Sequence, residues 1–219
     1  MSFITEFHCH TIYSKDSLVH PSDLVVACRR KGIGRVFISD HNTIKGALEA
    51  QKLAPDLVII GEEIMTTQGE ILAAFVTEEI PAGLTPKEAI ARLREQGAFI
   101  SISHPFDFMR SGHWDEAGLL EILPQIDAIE TFNARCLLPR MNRQAAGFAA
   151  RHGIPSTVGS DAHTLWELGR ATLTLPNFNS ASELRAVIRQ GVPNLRSTGI
   201  HARLASRYAV LSKNLWKKS

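Results

Sequence analysis

The chain has 219 residues, 44% of them hydrophobic, and its 24 lysines and arginines against 22 aspartates and glutamates leave a formal charge of +2. That suits a globular enzyme with one sizeable core, and so small a charge gives no sign of nucleic acid as a partner. Three cysteines (Cys9, Cys28, Cys136) without regular spacing argue against a disulfide scaffold, residues 1–7 lack the features of a signal peptide, and no apolar run approaches the ~20 residues of a membrane helix. A cytoplasmic protein with no membrane contact is expected.

In chain order, strands are expected at 4–10, 35–40, 57–64, 70–76, 98–103, 127–132, 157–160 and 171–175, with helical patterns between most of them. Thr85-Pro86-Lys87-Glu88 and Ser180-Ala181-Ser182-Glu183 read as capping boxes. Gly32, Gly97, Gly153 and Gly191 each follow a helical stretch, where a left-handed C-cap favours glycine. Helix, glycine and buried strand in repetition is the sequence form of βα units around a largely parallel sheet. The segments 57–64 and 70–76, joined through Gly69, read instead as a hairpin. With no Ser/Gly/Pro-rich linker, one domain over 1–196 is expected. From about Ser197 the pattern is lost, and 197–219 reads as a basic C-terminal tail with Trp216 among lysines.

Four polar triplets close expected strands: His8-Cys9-His10, Asp40-His41-Asn42, Ser103-His104-Pro105 and Asp161-Ala162-His163. Alternate side chains of a strand share a face, so His8 and His10 point together while Cys9 points away, and Asp161 and His163 flank Ala162 in the same manner. Strand ends are where α/β folds build their sites. Five histidines at equivalent positions are therefore candidate metal ligands, whereas His20, His113, His152 and His201 read as surface residues. Among the carboxylates, Asp16 follows the first strand, Glu130 ends another, and Glu62 and Glu63 are neighbours of which only one can face the site. Periodicity does not choose between these two, because a parallel strand is apolar on both faces.

Together, HCHTIYSKDS, SDHNTIKG, GEE, SHP and GSDAH, in that order, resemble the motifs of the PHP (polymerase and histidinol phosphatase) superfamily, from residue 6 to about 170. The resemblance implies a distorted (β/α)7 barrel with two or three divalent ions at the C-terminal ends of the strands. It implies His8, His10, Asp16, His41, Glu63, His104, Asp161 and His163 as ligands, with Glu63 bridging two ions, and so chooses Glu63 over Glu62. Asp40 and Glu130 are expected to support the ligands from behind. One departure is the strand 70–76, which lacks a histidine that many three-metal relatives carry there. The ion it would help hold is expected to be weak or absent, unless Glu70 or Glu130 replaces that residue. A second departure is size: there is no room for the inserted substrate-selecting domain of larger relatives, so an open site is expected.

Histidine and carboxylate donors suit Zn²⁺, Mn²⁺ or Fe²⁺. The resemblance implies hydrolysis of phosphoesters, for which a metal-bound hydroxide would be the nucleophile, so no catalytic side chain is expected; neither a G-x-S-x-G elbow nor a C-x5-R loop is present. Arg110, Arg135 and Asn133 are candidate phosphate-binding residues. The expected activity is hydrolysis of a small phosphomonoester. Alternatives are a phosphodiesterase or nuclease, a phosphotyrosine phosphatase of the same kind, and a non-catalytic metal-binding regulatory module.

Overall fold

The computed structural model describes residues 1–216. Lys217, Lys218, Ser219 and the side chain of Trp216, part of the expected basic tail, lie outside the described residues. The elements run β1 (Ser2–Cys9), α1 (Pro21–Arg30), β2 (Ile33–Ile38), α2 (Lys45–Leu53), β3 (Val58–Met65), β4 (Glu70–Ala74), α3 (Pro86–Glu95), β5 (Phe99–Ile102) and α4 (Glu116–Ile122). They continue as β6 (Ala128–Asn133), α5 (Pro139–His152), β7 (Ser156–Gly159), β8 (Ala171–Pro176), α6 (Ala181–Val187), β9 (Val192–Leu195) and α7 (Ile200–Trp216).

One sheet contains the strands in the order β7-β6-β5-β4-β3-β2-β1-β8-β9. β1, β2 and β3 are mutually parallel, β4 runs antiparallel to both β3 and β5, and β5, β6 and β7 are parallel again. The sheet then curls back on itself. Cys9 bridges to Ala162 just past β7, with His10 N donating to the Ala162 carbonyl at 2.8 Å and Ala162 N to the His8 carbonyl at 3.2 Å. Seven strands thereby nearly close into the distorted barrel, and β8 pairs antiparallel with Ser2–Thr5 on the same edge of β1, the one away from β2, with β9 beyond it.

The core explains the alternation within each strand. Phe7, Phe37, Ile59, Ala74, Phe99, Ala128 and Val158, one residue from each of the seven barrel strands, belong to a single buried cluster closed by Phe178, Leu184 and Ile188. We read this set as a layer inside the barrel. Their neighbours Val36, Ile38 and Val58 join the residues of α1 and α2, and Ile100, Ile102 and Ile129 join those of α3, α4 and α5. Both faces of the strands are covered, which is why they read as continuous apolar runs.

Thr85 forms a full capping box with Glu88. Ser180 accepts from Glu183 N, but the Glu183 carboxylate turns to Asn179 N at 2.6 Å, so only half of that box forms. Gly32, Gly97 and Gly153 are left-handed, whereas Gly191 has φ −63 because a 3₁₀ turn passes directly into β9. Two elements depart from the expected pattern. β9 contains Pro193 and is exposed at every position, as an edge strand tolerates. The segment read as a tail folds as the 17-residue α7, which packs through Ala202 and Ala209.

Asp127 ties three elements together at the entrance to β5. Its carboxylate accepts from both Arg94 Nη atoms at 2.9 Å, from Arg185 Nε at 3.0 Å and from Ile100 N at 2.8 Å. Burial raises its pKa, but the two arginines and the amide outweigh that and hold it below the ordinary value. A carboxyl depressed in the folded state adds stability at neutral pH that is lost as pH falls through its folded pKa. Asp127→Asn is expected to cost about 2 kcal/mol at pH 7, less than a fully buried pair because both guanidiniums are partly exposed. Urea denaturation should show that the difference from wild type shrinks below pH ~4.

Candidate metal centre

Each motif residue is delivered by a local feature of its strand. A register shift between Glu6 and Cys9 re-phases β1, so that Phe7 serves the barrel layer while His8 and His10 face the centre and Cys9 packs outward against α1 and α2. On β3 the inward face runs Ile59, Gly61, Glu63. Glu62 points the other way, where its Oε2 accepts from Ile80 N at 3.0 Å. The reversed direction of β4 brings its first residue, Glu70, to the ligand end, opposite Met65. Asn42, His104 and Asp161 are held at positive φ (55°, 24° and 52°), a backbone region that costs non-glycine residues energy and that clusters at functional sites.

The eight expected ligands converge, and Glu63 is at their centre. Its Oε1 lies 3.2 Å from His8 Nε2 and 3.0 Å from His104 Nε2; its Oε2 lies 3.4 Å from His10 Nε2 and 3.0 Å from His41 Nδ1. Ser103 donates to Glu63 Oε1 in a very short hydrogen bond. Asp161 Oδ1 is 3.8 and 3.4 Å from the Nε2 atoms of His8 and His10. Asp16 reaches His41 Nε2 at 3.5 Å and His163 Nε2 at 3.2 Å. Glu70 joins them at 3.4 Å from His104 Nε2 and 3.9 Å from His41 Nδ1.

A second layer of polar groups fixes these side chains. Asp40 accepts from Thr11 N (2.7 Å), Thr11 Oγ1 (2.6 Å) and Ser14 Oγ (2.6 Å), shaping the loop that carries Asp16. With its hydrogen committed to Asp40, Ser14 Oγ is left to accept from His10 Nδ1 at 3.1 Å, and His10 Nε2 then presents a lone pair to the centre. Glu130 likewise accepts from His8 Nδ1 at 3.0 Å, and also from His104 N at 2.8 Å. Gly159 has no Cβ because one would collide with the Glu130 carboxylate and His8. Gly112 plays the same part for Glu70, which is further held by its N–H on Gly112 O and by Trp114 Nε1 on its own carbonyl.

Burial penalises every charge here, yet opposite charges dominate for most groups. His8 and His41 are held well above the ordinary imidazole value, because Glu63 and the other nearby carboxylates outweigh desolvation. His10 lies well below it, being buried and facing His163 and His41. Glu63 and Asp161 are both pushed up by burial but end well below the ordinary range, the first through His8, His104 and His41, the second through Arg110 and His8. Glu70 differs: burial and the neighbouring Glu63 raise it.

The donor set passes a direct test of fit. His8 Nε2, His10 Nε2, Asp16 Oδ1, Glu63 Oε2, Asp161 Oδ1 and His163 Nε2 are all buried and lack a hydrogen-bond partner. They meet groups of the same cluster at ion-pair distances without hydrogen-bond geometry, and six such ligand atoms in one place mark a site that cations would complete. Ligand atoms of His8, His10 and Glu63, of His10, His41 and His163, and of His41, Glu63 and Glu70 each lie within 4.8 Å of one another.

The expected phosphate binders separate. Arg110 lines the cavity over the centre, with Nη1 2.6 Å from Asp161 Oδ2 and Nε 3.1 Å from Asp107. Arg135 also lines it but is 4% exposed. Its guanidinium donates to the Ala202 carbonyl and Ser206 of α7 and lies 3.2 Å from Glu167 and 2.6 Å from His163 Nδ1. Asn133 is buried, and its amide hydrogens go to Glu130 (3.0 Å) and Asp161 (3.2 Å); it braces the ligands and has none left for a phosphate. His20, His113, His152 and His201 are exposed. Sequence reasoning missed Ser14, Asp107, Glu167 and Arg203. Glu167 accepts from His163 N at 3.1 Å and Arg203 reaches Asp107 at 3.3 Å, contacts for which the chain carries no local signal.

Residues 6–82 match the PHP domain and residues 139–193 the PHP-associated domain. An uncharacterized protein of Methanocaldococcus jannaschii, MJ0417, is 38% identical over 177 residues, 80% of this chain and 71% of that protein. The chain belongs to the PHP family. Among solved structures, a two-domain Bacteroides vulgatus protein containing a predicted PHP-like metal-dependent phosphoesterase aligns with a TM-score of 0.73 at 19% identity, over 90% of this chain. The PHP chain spans 65% of that protein, just under two thirds. The lesion-specific endonuclease PfuEndoQ of Pyrococcus furiosus aligns with a TM-score of 0.56 at 18% identity, over 87% of this chain and 56% of its own. At such identities these structures speak for the PHP fold alone. No helix among the described residues is long and apolar enough to cross a membrane.

Proposed function

We propose that the protein is a metal-dependent phosphatase of a small phosphomonoester, holding two or three Zn²⁺, Mn²⁺ or Fe²⁺ ions and working in the cytoplasm. The carrying observation is the six buried ligand atoms gathered around Glu63, none of them in hydrogen-bond geometry. In this reading His8, His10, Glu63 and Asp161 hold one ion and Asp16, His41 and His163 a second. Glu63, His104 and Glu70 hold the third. Glu70 stands where the 70–76 strand lacks its histidine, while Glu130, the other candidate, is taken up by His8, His104 and Asn133.

The ions, when bound, would supply Lewis acidity and an activated water. The chain's own residues do the rest. Glu130 and Ser14 keep the lone pairs of His8 and His10 directed inward, and Asp107 steers Arg110 over the cavity, where its guanidinium can fork onto phosphoryl oxygens. No thiol suits a covalent route, since burial pushes Cys9, Cys28 and Cys136 well above the ordinary thiol range.

The test is a panel of alkyl and aryl phosphomonoesters, a phosphotyrosine peptide, phosphodiesters and single-stranded DNA, assayed with each metal and with a chelator. Monoesters of small alcohols should turn over fastest, and chelation should abolish the rate. Faster cleavage of diesters or DNA would replace this reading with a nuclease; no turnover despite bound metal would favour a regulatory module.

A further inference from the structure

The cavity over the metal centre has a volume of about 700 Å³, within the ~300–1,000 Å³ of small-molecule sites. One phosphoryl group occupies a small part of that space. Among the described residues, five Lys and Arg side chains line it: Lys15, Arg110, Arg135, Arg203 and Arg207. Three have carboxylate neighbours, since Arg110 and Arg203 share Asp107 and Arg135 pairs with Glu167. Lys15 and Arg207 meet no carboxylate, carbonyl or aromatic ring among the described residues.

These two cations also line a second recess of about 390 Å³, which shares Asp16 and Ser206 with the main cavity and adds Val210 and Leu211 of α7. From the centre outward the order is therefore ligand cluster, unpaired cations, apolar wall. α7 holds Arg207 there because it is strapped at both ends, by Arg135 on the Ala202 carbonyl and Ser206, and by Lys213 Nζ on the carbonyls of Ile12 and Ser14 at 2.5 Å. The Ile12–Ser14 segment leads directly to Lys15, so the same contact sets the two cations beside one recess.

We propose that Lys15 and Arg207 form a second anion subsite, and that the substrate is a phosphomonoester whose alcohol portion carries another phosphate or carboxylate, its carbon body against Val210 and Leu211. This rests on the phosphatase reading above. A charge-assisted hydrogen bond of about 1.5–3 kcal/mol corresponds to a preference of roughly 10- to 150-fold. A polynucleotide is the less suitable occupant, because two cations at one small recess match one anionic group and not a tracked backbone.

The experiment compares alkanediol bisphosphates of two to six carbons with alkyl monophosphates of the same lengths, using the metal-loaded protein. The ratio of kcat/KM should exceed 10 at one or more lengths, fall toward 1 in Arg207→Ala, and recover in part in Arg207→Lys. Calorimetry with the matching non-hydrolysable bisphosphonates should show the same order of affinities. A ratio near 1 in a wild type that hydrolyses monophosphates overturns the subsite and leaves the phosphatase reading standing. No hydrolysis of any monoester overturns the phosphatase reading; the bisphosphonate affinities then decide the subsite, and equal binding by wild type and Arg207→Ala overturns it. Competition by oligonucleotides at lower concentration than any bisphosphate overturns it in favour of a nucleic-acid ligand.

Discussion

Glu63→Ala is expected to strip the centre of most of its metal and to lower metal-dependent hydrolysis by a factor of ~10³ or more, as removal of a charge clamp at the reacting phosphoryl would. Glu63 lies within 3.4 Å of the ring nitrogens of His8, His10, His41 and His104, so its loss leaves four imidazoles without their shared counter-charge. Glu63→Gln keeps the shape and the bond from Ser103 while removing the charge, and separates metal loss from misfolding. Glu62→Gln should stay within about threefold of wild type, since Glu62 faces outward onto Ile80 N, and a neutral amide keeps that acceptor in an environment that pushes the carboxyl up to about 8. Metal content after desalting and initial rates on a simple monoester read both effects. Equal losses in Glu62→Gln and Glu63→Gln would sink the assignment of Glu63 to the inner face.

Glu70→Ala should remove one ion per chain and slow turnover by ~10²; Glu70→His should restore much of both, because imidazole and carboxylate are alternative ligands for the same ions. In wild type all ions should bind in one tight phase. In Glu70→Ala a weak phase should emerge, and added inorganic phosphate should tighten it, since anion and ion then complete each other's coordination and linkage makes the effect reciprocal. Metal titration at several phosphate concentrations measures this. Unchanged stoichiometry in Glu70→Ala would make the residue a bystander carboxylate and return the third ion to Glu63 and His104 alone.

Much of the barrel was legible in the chain because buried parallel strands leave two marks, an apolar run and an abrupt polar triplet at its end. Most expected strands end within two residues of the observed ones. The choice between Glu62 and Glu63 was not legible from pattern alone, since both faces of β3 are apolar; it takes the seven-strand layer containing Ile59 to define the inner face. α7 escaped for the opposite reason. Its large apolar residues Ile200, Leu204, Tyr208, Leu211 and Leu215 face solvent, while Ala202, Ala209 and the polar atoms of Ser206 and Lys213 make its contacts with the barrel. Hydrophobic periodicity cannot announce a helix that docks through alanines and polar groups. The same limit applies to Arg135 and Asn133: the sequence puts a polar residue at a strand end, but only tertiary contacts show that its donors are already spent on Ala202, Glu130 and Asp161.

The bridge between Cys9 and Ala162 falls where the first and seventh strands meet, with His8 and His10 on one lip of that join and Asp161 and His163 on the other. Ions shared across the join would act as a clasp, reinforcing a stave construction whose last seam already carries two backbone hydrogen bonds and the bonds of Ser160 to the Glu6 carboxylate. Loading and closure would then be one event. At a hundredfold excess over the dissociation constant each such ion would add about 2.7 kcal/mol of stability, so metal supply would set how stably the chain is folded as well as its chemistry.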